Sequence, residues 1–594
     1  MPDTTNNTRR PTIEENWQEL GGDEIGEPLL AAAKLMGVER IWYVSGSELA
    51  WFQEVTVKNK ALGRPAPELL SMVHESVALA AAMGDTMITN KPSIACGHVD
   101  VGLLNMGGQI HNALRGQYPV LMMSGYPATG RHGSSQPMTR NVPAYWGQQI
   151  WDPGQIVRQY TKWDYRLTPY ENPALIMSRA IQTMMGEPRG PAYMALAPEA
   201  VRAPVTTPAL MPPTEEWQVP RLGDGDEDSA REAAQMLVDA ENPIILVQKL
   251  GRHATWVEKL VRFAEDLAVP VHGSLHRMNF PQTHDLWEAG PRLCDADVVM
   301  VIDYDVPWMP GVFSPSKNSK IILVGNDPLQ QNIPVYELPA HLRVQADSGP
   351  FLDRVLEKAQ KLINSDTKRK IANRRARLTD QGKKIKENRR LRAESDAKKN
   401  EPTRLWLDYQ LGQLLDADDI VVNEFADSAM LKRSKPGTHF MSGGSSLGWS
   451  GGAAIGAKMA APDRTVINLV GDGAHIFSVP QAWLWASQSL KAPILTVIWN
   501  NRGYRTGTSN LQAQYPKGHA VQANDYHGGF IDPPPNYAGE AAASGAYGET
   551  VKTPMDVVPA LRRGLEAVRK DGISAVIDVW LPKHLNYPPS KFVA

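Results

Sequence analysis

The chain has 594 residues, with 62 Lys plus Arg against 64 Asp plus Glu, and at roughly 150 residues per domain it has length for three or four domains. The resulting net charge of -2 gives no overall basic field for holding nucleic acid, and 42% hydrophobic with 21% charged residues excludes wholesale disorder. Cys96 and Cys294 are too few for a disulfide framework or a cysteine-built metal site, so a reducing, cytoplasmic setting is the expectation. The polar N-terminal stretch does not read as a secretory signal, and no apolar run of about eighteen residues suggests a membrane span.

Short apolar runs alternating with amphipathic stretches predict βαβ units and parallel sheets, and the pattern occurs in three blocks. Residues 20–205 carry strand-like RIWYV, SIACG, PVLMMSG and PAYMALA, with a small-residue helix in HESVALAAAMGDTM. A Pro-rich connection leads to residues 225–360, with PIILVQ, DVVMVID and KIILVG as strands. Residues 361–402 hold a strongly basic stretch, KRKIANRRARL and KKIKENRRLRA, read as a solvated helical connector with a polyanion-binding arm as the alternative. The last block, residues 403–594, has strands at DIVVNE, TVINLVG, ILTVIWN and AVIDVWL and ends in a short Pro-containing tail after Leu581. The expected fold class is α/β, with three doubly wound parallel-sheet domains.

The strongest chemical signal runs from Thr465 to Tyr504. One hydrophobic strand delivers Gly471-Asp472-Gly473, a helix follows, and a second strand delivers Asn500-Asn501 after 26 intervening residues. Two parallel strands then present a carboxylate and an amide at one sheet edge, where open α/β sheets bind ligands. Such hard oxygen donors suit Mg2+, and the flanking glycines and helix start suit a diphosphate.

This arrangement resembles the thiamine diphosphate fingerprint. The resemblance implies that Asp472, the Asn501 side chain and the Gly503 carbonyl hold Mg2+ around the diphosphate, with Gly471, Gly473 and Ala474 beside it. Thiamine chemistry also needs a carboxylate on the aminopyrimidine ring nitrogen. Glu75, which follows a strand and opens the helix ESVALAAA, matches the family's glutamate. In Gly443-Gly444-Ser445-Ser446-Leu447-Gly448-Trp449, Leu447 matches the side chain wedged under the thiazolium, with the Ser445 carbonyl and Leu447 amide pairing with the aminopyrimidine edge.

In order, the blocks resemble the pyrimidine-binding, middle and diphosphate-binding domains of the family that contains acetolactate synthase, benzoylformate decarboxylase, benzaldehyde lyase and the oxalyl- and 2-hydroxyacyl-CoA enzymes. The segment KPSIACGHVDVGLLN resembles the loop that carries an active-site histidine in benzoylformate decarboxylase, which points to His98, with Asp100 placed to orient it or to shape the pocket. FPQTH resembles the segment that brings a second histidine, here His284, over the thiazolium. Imidazoles there suit proton transfer because they titrate near neutrality. Either Ser45 or Ser47 would serve as the family's substrate-binding serine, Gln149 matches a substrate-facing glutamine, and His475 and Tyr504 flank the metal motif. Trp146, Trp151 and Trp449 are candidates for an aromatic pocket, although core packing is the stronger expectation for each.

The resemblance implies a homodimer or homotetramer with active sites between subunits, acting on a small 2-keto acid, aldehyde or 2-hydroxy ketone, with neither nucleic acid nor membrane as partner. The leading expectation is a thiamine diphosphate- and Mg2+-dependent decarboxylase or lyase and carboligase, favoured by His98. The alternatives are an acetolactate synthase-like transferase, a 2-hydroxyacyl-CoA lyase, against which the short tail argues, and a thiamine-binding regulatory protein that has lost turnover. No separate fingerprint assigns FAD or ADP to the middle domain.

Overall fold

The computed structural model describes residues 12–133, 139–273, 276–424 and 430–583. The extreme N-terminal stretch and, from residue 584 on, the Pro-containing tail lie outside the described residues. The chain forms two compact units, Met1–Thr86 with Lys91–Pro220, and Met87–Asn90 with Arg221–Ala594.

In the first unit, β1 (Arg40–Val44), β2 (Glu68–Met72), β3 (Ser93–Gly97), β4 (Val120–Gly125), β5 (Asp164–Leu167) and β6 (Ala192–Leu196) form one parallel sheet in the order β2-β1-β3-β4-β6-β5. Helices α1 (Glu75–Thr89) and α2 (Val99–Arg115) follow β2 and β3. Every residue of β3, β4 and β6 is buried. A strand covered on both faces needs an unbroken apolar run, which is why SIACG and VLMMSG read so clearly. The chain passes from β1 outward to β2 and then back across to β3, so β1 and β3 part at a topological switch point.

The second unit holds two parallel sheets. The middle one has β7 (Pro243–Val247), β8 (Val271–Gly273), β9 (Val298–Ile302), β10 (Lys320–Gly325) and β11 (Leu342–Gln345), in the order β8-β7-β9-β10-β11. Its two faces pack into separate apolar cores, one around Phe263, Val271 and Phe351 and the other around Leu246, Val299 and Leu323. The last sheet has β12 (Ile420–Asn423), β13 (His439–Phe440), β14 (Val466–Gly471), β15 (Leu495–Asn500), β16 (Tyr547–Val551) and β17 (Ala575–Trp580), in the order β13-β12-β14-β15-β17-β16. Its switch point lies between β12 and β14. The two sheets are tied through Gln282 and Arg433, each backbone N–H donating to the other residue's carbonyl or amide oxygen at 2.9 Å.

The basic connector is the helix α3 (Ser365–Asp396). Most of its charges are exposed, but Arg374 is 4% exposed. Its guanidinium donates to the carbonyls of Ala268 at 2.9 Å, Ala240 at 2.8 Å and Leu267, at the ends of two middle-domain helices. Such carbonyls have no partner within their own helices, and a cation there also meets the negative end of the helix dipole. Further along, Gly382 lies against the Asp285 carbonyl, and Lys386 reaches the Thr283 carbonyl and Asp285. The connector is therefore a solvated helix on one side and a strap over the middle sheet on the other. Among the described residues, no helix is long and apolar enough to cross a membrane.

Truncation of Arg374 to Ala strands those buried carbonyls, a loss of about 2–4 kcal/mol. Urea denaturation followed by hydrogen exchange is expected to show that loss in α3 and the middle sheet; unchanged protection there would show that the strap carries no stability.

Candidate active site

In the first unit the site grows from the ends of β1, β2 and β3. Glu75 opens α1 and is 7% exposed. Its carboxylate lies over two glycines: a Cβ at Gly97 would stand 2.8 Å from Glu75 Cγ, and one at Gly102 would stand 2.8 Å from Oε1. Asn105 Nδ2 donates to Oε2 at 3.1 Å. Only hydrogen on those two α-carbons leaves the carboxyl its place.

His98 stands at the end of β3, and the next residue, Val99, has φ 40. A β-branched residue in the left-handed region is strained, and such strain concentrates where a side chain must be held in place. His98 Nδ1 lies 2.9 Å from Glu48 Oε2, within ion-pair distance, and the Glu48 side chain is fully buried. Ser47 Oγ donates to the other Glu48 oxygen at 3.0 Å. On its far side, His98 Nε2 lies 3.1 Å from the Gln148 amide nitrogen. A Cβ at Gly46 would fall 2.3 Å from His98 Nδ1, so the imidazole occupies the notch that this glycine leaves. The Glu48 carboxylate holds the imidazole titration above its ordinary 6.5, against the effect of burial. Burial pushes Glu48 upward, but His98, the backbone and Ser47 together hold it below the ordinary 4.5.

Glu48 and Gln148 were not read from the sequence. The orienting role expected of Asp100 falls to Glu48, and the glutamine that meets His98 is Gln148 rather than Gln149, which is exposed and donates to the Tyr126 hydroxyl at 3.3 Å. Ser45 and Ser47 are both exposed beside the Gly46 notch. Trp146 and Trp151 are exposed rather than packed in a core, with the Arg140 guanidinium over the Trp146 ring, whereas Trp449 is fully buried.

In the second unit, ladder register sets the site. Gly471 of β14 pairs with Trp499 of β15, so Asp472 and Asn501 leave the sheet at the same edge. Helices α4 (Ser450–Ala460), α5 (Asp472–Phe477) and α6 (Arg505–Gln514) follow the glycine-rich loop, β14 and β15. Arg502 has φ 60, and this left-handed turn points the Gly503 N–H back at both motif side chains, 3.0 Å from Asp472 Oδ2 and 3.0 Å from Asn501 Oδ1. A cleft of about 1020 Å³ opens here, lined by Ser445, Leu447, Gly471, Asp472, Gly473, Ala474, Asn501, Gly503 and Tyr504. All the cofactor-binding residues expected from the sequence thus meet on one surface.

Another acid lines the same cleft. Glu424, at the end of β12, accepts from the Gly448 N–H at 2.7 Å and the Ser450 N–H at 2.9 Å, which fixes the glycine-rich loop and the start of α4. Burial raises its titration. A lone acid directly after the apolar run IVVN was the signal for it, the same signal that marks Asp472.

His284 and His475 stand elsewhere. His284 Nδ1 accepts from the Leu286 N–H at 3.1 Å and Nε2 lies 3.2 Å from Glu265, so both nitrogens serve the middle domain. His475 packs edge-on against Trp483 and Tyr537, and burial lowers its titration to about 3. Neither lines the cleft.

Burial pushes the Asp472 carboxyl up to about 6, and no Lys or Arg pairs with it among the described residues. A buried carboxylate in that position calls for a cation. The described residues contain no group of three or more His, Cys, Asp or Glu that could hold one. The donors at hand are a carboxylate, an amide oxygen and a carbonyl, a set that fits Mg2+ completed by phosphate oxygens and does not fit Zn2+.

Residues 23–150 match the N-terminal TPP binding domain of thiamine pyrophosphate enzymes, and residues 424–579 match the C-terminal TPP binding domain. The chain belongs to the thiamine pyrophosphate enzyme family. Among its relatives in that family, sulfoacetaldehyde acetyltransferase of Castellaniella defragrans is 24% identical over 578 residues, covering 88% of this chain and 88% of the relative. An acetolactate synthase large subunit of Mycobacterium tuberculosis is 24% identical over 589 residues, covering 95% and 96%. The crystal structure of benzoylformate decarboxylase from Polynucleobacter necessarius shares the fold, with a TM-score of 0.71 at 21% identity over 96% of this chain and 100% of that one. As in the other thiamine pyrophosphate enzymes, the matched domains are those that bind the cofactor.

The Glu48–His98 pair makes a pH prediction. The raised His98 value contributes stability that is fully present below pH 6.5 and is lost as pH climbs through the folded value. The lowered Glu48 value contributes above pH 4.5 and is lost on acidification. In Glu48→Gln, burial is opposed only by the charges of Glu75 and Asp100, and the NMR titration midpoint of His98 is expected to fall from its raised value. An unmoved midpoint would remove Glu48 from control of His98.

Proposed function

We propose that the chain catalyses thiamine diphosphate- and Mg2+-dependent cleavage or formation of the carbon–carbon bond beside the carbonyl of a 2-keto acid or 2-hydroxy ketone, as a decarboxylase or lyase and carboligase. The observation that carries this reading is His98, held in the Gly46 notch between Glu48 and Gln148. An imidazole backed by a buried carboxylate is built to give and take a proton. Release of an aldehyde after decarboxylation places a proton on the carbon that loses CO2, whereas joining two keto acids forms a carbon–carbon bond there and places the proton on the acceptor's oxygen; an imidazole poised for transfer to carbon favours the first.

Thiamine diphosphate, when bound, supplies a carbon nucleophile and an electron sink for the cleaved bond. Asp472, Asn501 and the Gly503 carbonyl would hold Mg2+ and, through it, the diphosphate. Leu447 would support the ring system, and Ser445 and the Leu447 amide would orient its edge. Glu75 would hold a proton on the ring nitrogen of the aminopyrimidine of cofactor bound by a neighbouring copy of the chain, with Asn105 and the two glycines keeping the carboxyl in place. His98 Nε2 exchanges a proton with the substrate hydroxyl or with the carbon that becomes the product aldehyde, and Gln148 moves aside or turns its amide to match. Glu48 keeps the Nδ1 proton in place throughout. The family resemblance supports a homodimer or homotetramer, and the use of two cysteines supports a cytoplasmic setting.

Protein with Mg2+ and thiamine diphosphate, mixed with aromatic, branched and short 2-keto acids and with acyloins, is expected to release CO2 and aldehyde, followed by NMR. Formation of 2-acetolactate from pyruvate in place of aldehyde would instead make it an acetolactate synthase-like transferase. Glu75→Gln is expected to retain cofactor and lose at least about 100-fold in kcat. Chelation of Mg2+ should abolish turnover and its return restore it; full activity in excess chelator would remove the metal from the reading.

A further inference from the structure

The cleft that holds the thiamine-binding residues continues along one face of α6. Arg505, Thr506, Ser509 and Asn510 line it, at positions i, i+1, i+4 and i+5 of that helix. These positions share a face, because the helix turns once in about 3.6 residues. Between them Gly507 adds no side chain, and the inward-facing Thr508 donates to the Tyr504 carbonyl at 3.0 Å. This wall is polar, while Leu447, Trp499, Leu581 and Pro582 supply the apolar surface elsewhere in the cleft.

Its charge is positive. Arg404, Arg505 and Lys583 are the cations on the cleft, against Glu424 and Asp472. Glu424 is occupied by the Gly448 and Ser450 amides, and burial disfavours its charged form. Arg404 stacks on the Trp499 ring at 5.1 Å and stands 4.0 Å from Asp408, and Lys583 pairs with Asp532. Arg505 is exposed and forms no ion pair among the described residues. A guanidinium flanked by hydroxyl and amide donors matches the planar or tetrahedral oxygens of an anion.

We infer that the cleft takes a substrate with a second anionic group, a carboxylate, sulfonate or phosphate set beyond the reacting carbonyl, and that Arg505 holds that group with Thr506, Ser509 and Asn510 around it. This rests on the thiamine-dependent reading of the same cleft and names its substrate class.

The test separates the two. Thiamine diphosphate affinity is measured first by calorimetry in wild type, Arg505→Ala and Arg505→Lys, and failure of wild type to bind it would defeat the parent reading. The holoprotein is then titrated with glutarate and with butyrate, and turnover is compared for 2-oxoglutarate, 2-oxohexanoate and benzoylformate. Glutarate is expected to bind at least about tenfold more tightly than butyrate, and the dianionic keto acid to have a kcat/KM higher by a similar factor. Arg505→Ala should abolish both preferences through KM with cofactor affinity intact, and Arg505→Lys should restore part of them. Equal binding of glutarate and butyrate overturns the inference even where no keto acid turns over. Preference for benzoylformate, or weakened cofactor binding in Arg505→Ala, also overturns it, the latter by assigning the guanidinium to the cofactor's diphosphate.

Discussion

The register of parallel strands at and beside the switch points is the constraint on which the rest depends. Backbone hydrogen bonds fix β14 beside β15 so that Gly471 stands level with Trp499, and β1 beside β3 so that Tyr43 stands level with Cys96. Where connections leave in opposite directions, as between β1 and β3 and between β12 and β14, an open edge is left, and β15 ends beside the second of these. Polar residues placed immediately after each strand must then face one another. Asp472 and Asn501 meet in this way, and Glu48, in the turn that follows β1, reaches His98 at the end of β3. A one-residue slip in either ladder would turn alternate side chains to the other sheet face and dissolve the constellation.

Local backbone strain refines what register begins. Val99 and Arg502 both adopt left-handed φ values, and each directly adjoins a residue of the site. The cost of such a conformation is about 1–3 kcal/mol, and the surrounding packing offsets it. For Val99 the packing is complete burial; for Arg502 it is the guanidinium, which donates to the Leu581 carbonyl at 2.8 Å and lies over the Trp580 ring. Arg502 thus replaces the conformational ease of glycine with contacts made by its own side chain.

The legible part of the fold was its buried centre. β3, β4, β7, β9, β12, β14 and β15 are covered on both faces and show as largely apolar runs, broken only by single polar residues such as Asn468 and Thr496. Edge strands were not legible: β5, β11 and β16 are short, half-exposed and mixed in polarity, so nothing in their composition separates them from loops. The site divides along similar lines. Asp472 and Asn501 were readable because each follows a recognisable strand at a fixed spacing. Glu48 and Gln148 were not, because their meeting with His98 joins segments 50 residues apart that carry no shared spacing rule. Histidine identity alone says little: His98 faces an opening, while His284 and His475 are consumed by their own surroundings.

Arg374 has a consequence of a different kind. Its partners are main-chain oxygens of Ala240, Leu267 and Ala268, and a carbonyl is present whatever side chain its residue carries. The lock between connector and middle sheet therefore places its chemical demand on one position of α3 and on helix ends defined by geometry. Side chains around it are free to drift, and so is most of the basic stretch. A seam of this kind can persist while the surfaces it joins are rewritten, leaving a single guanidinium as the readable trace of the joint.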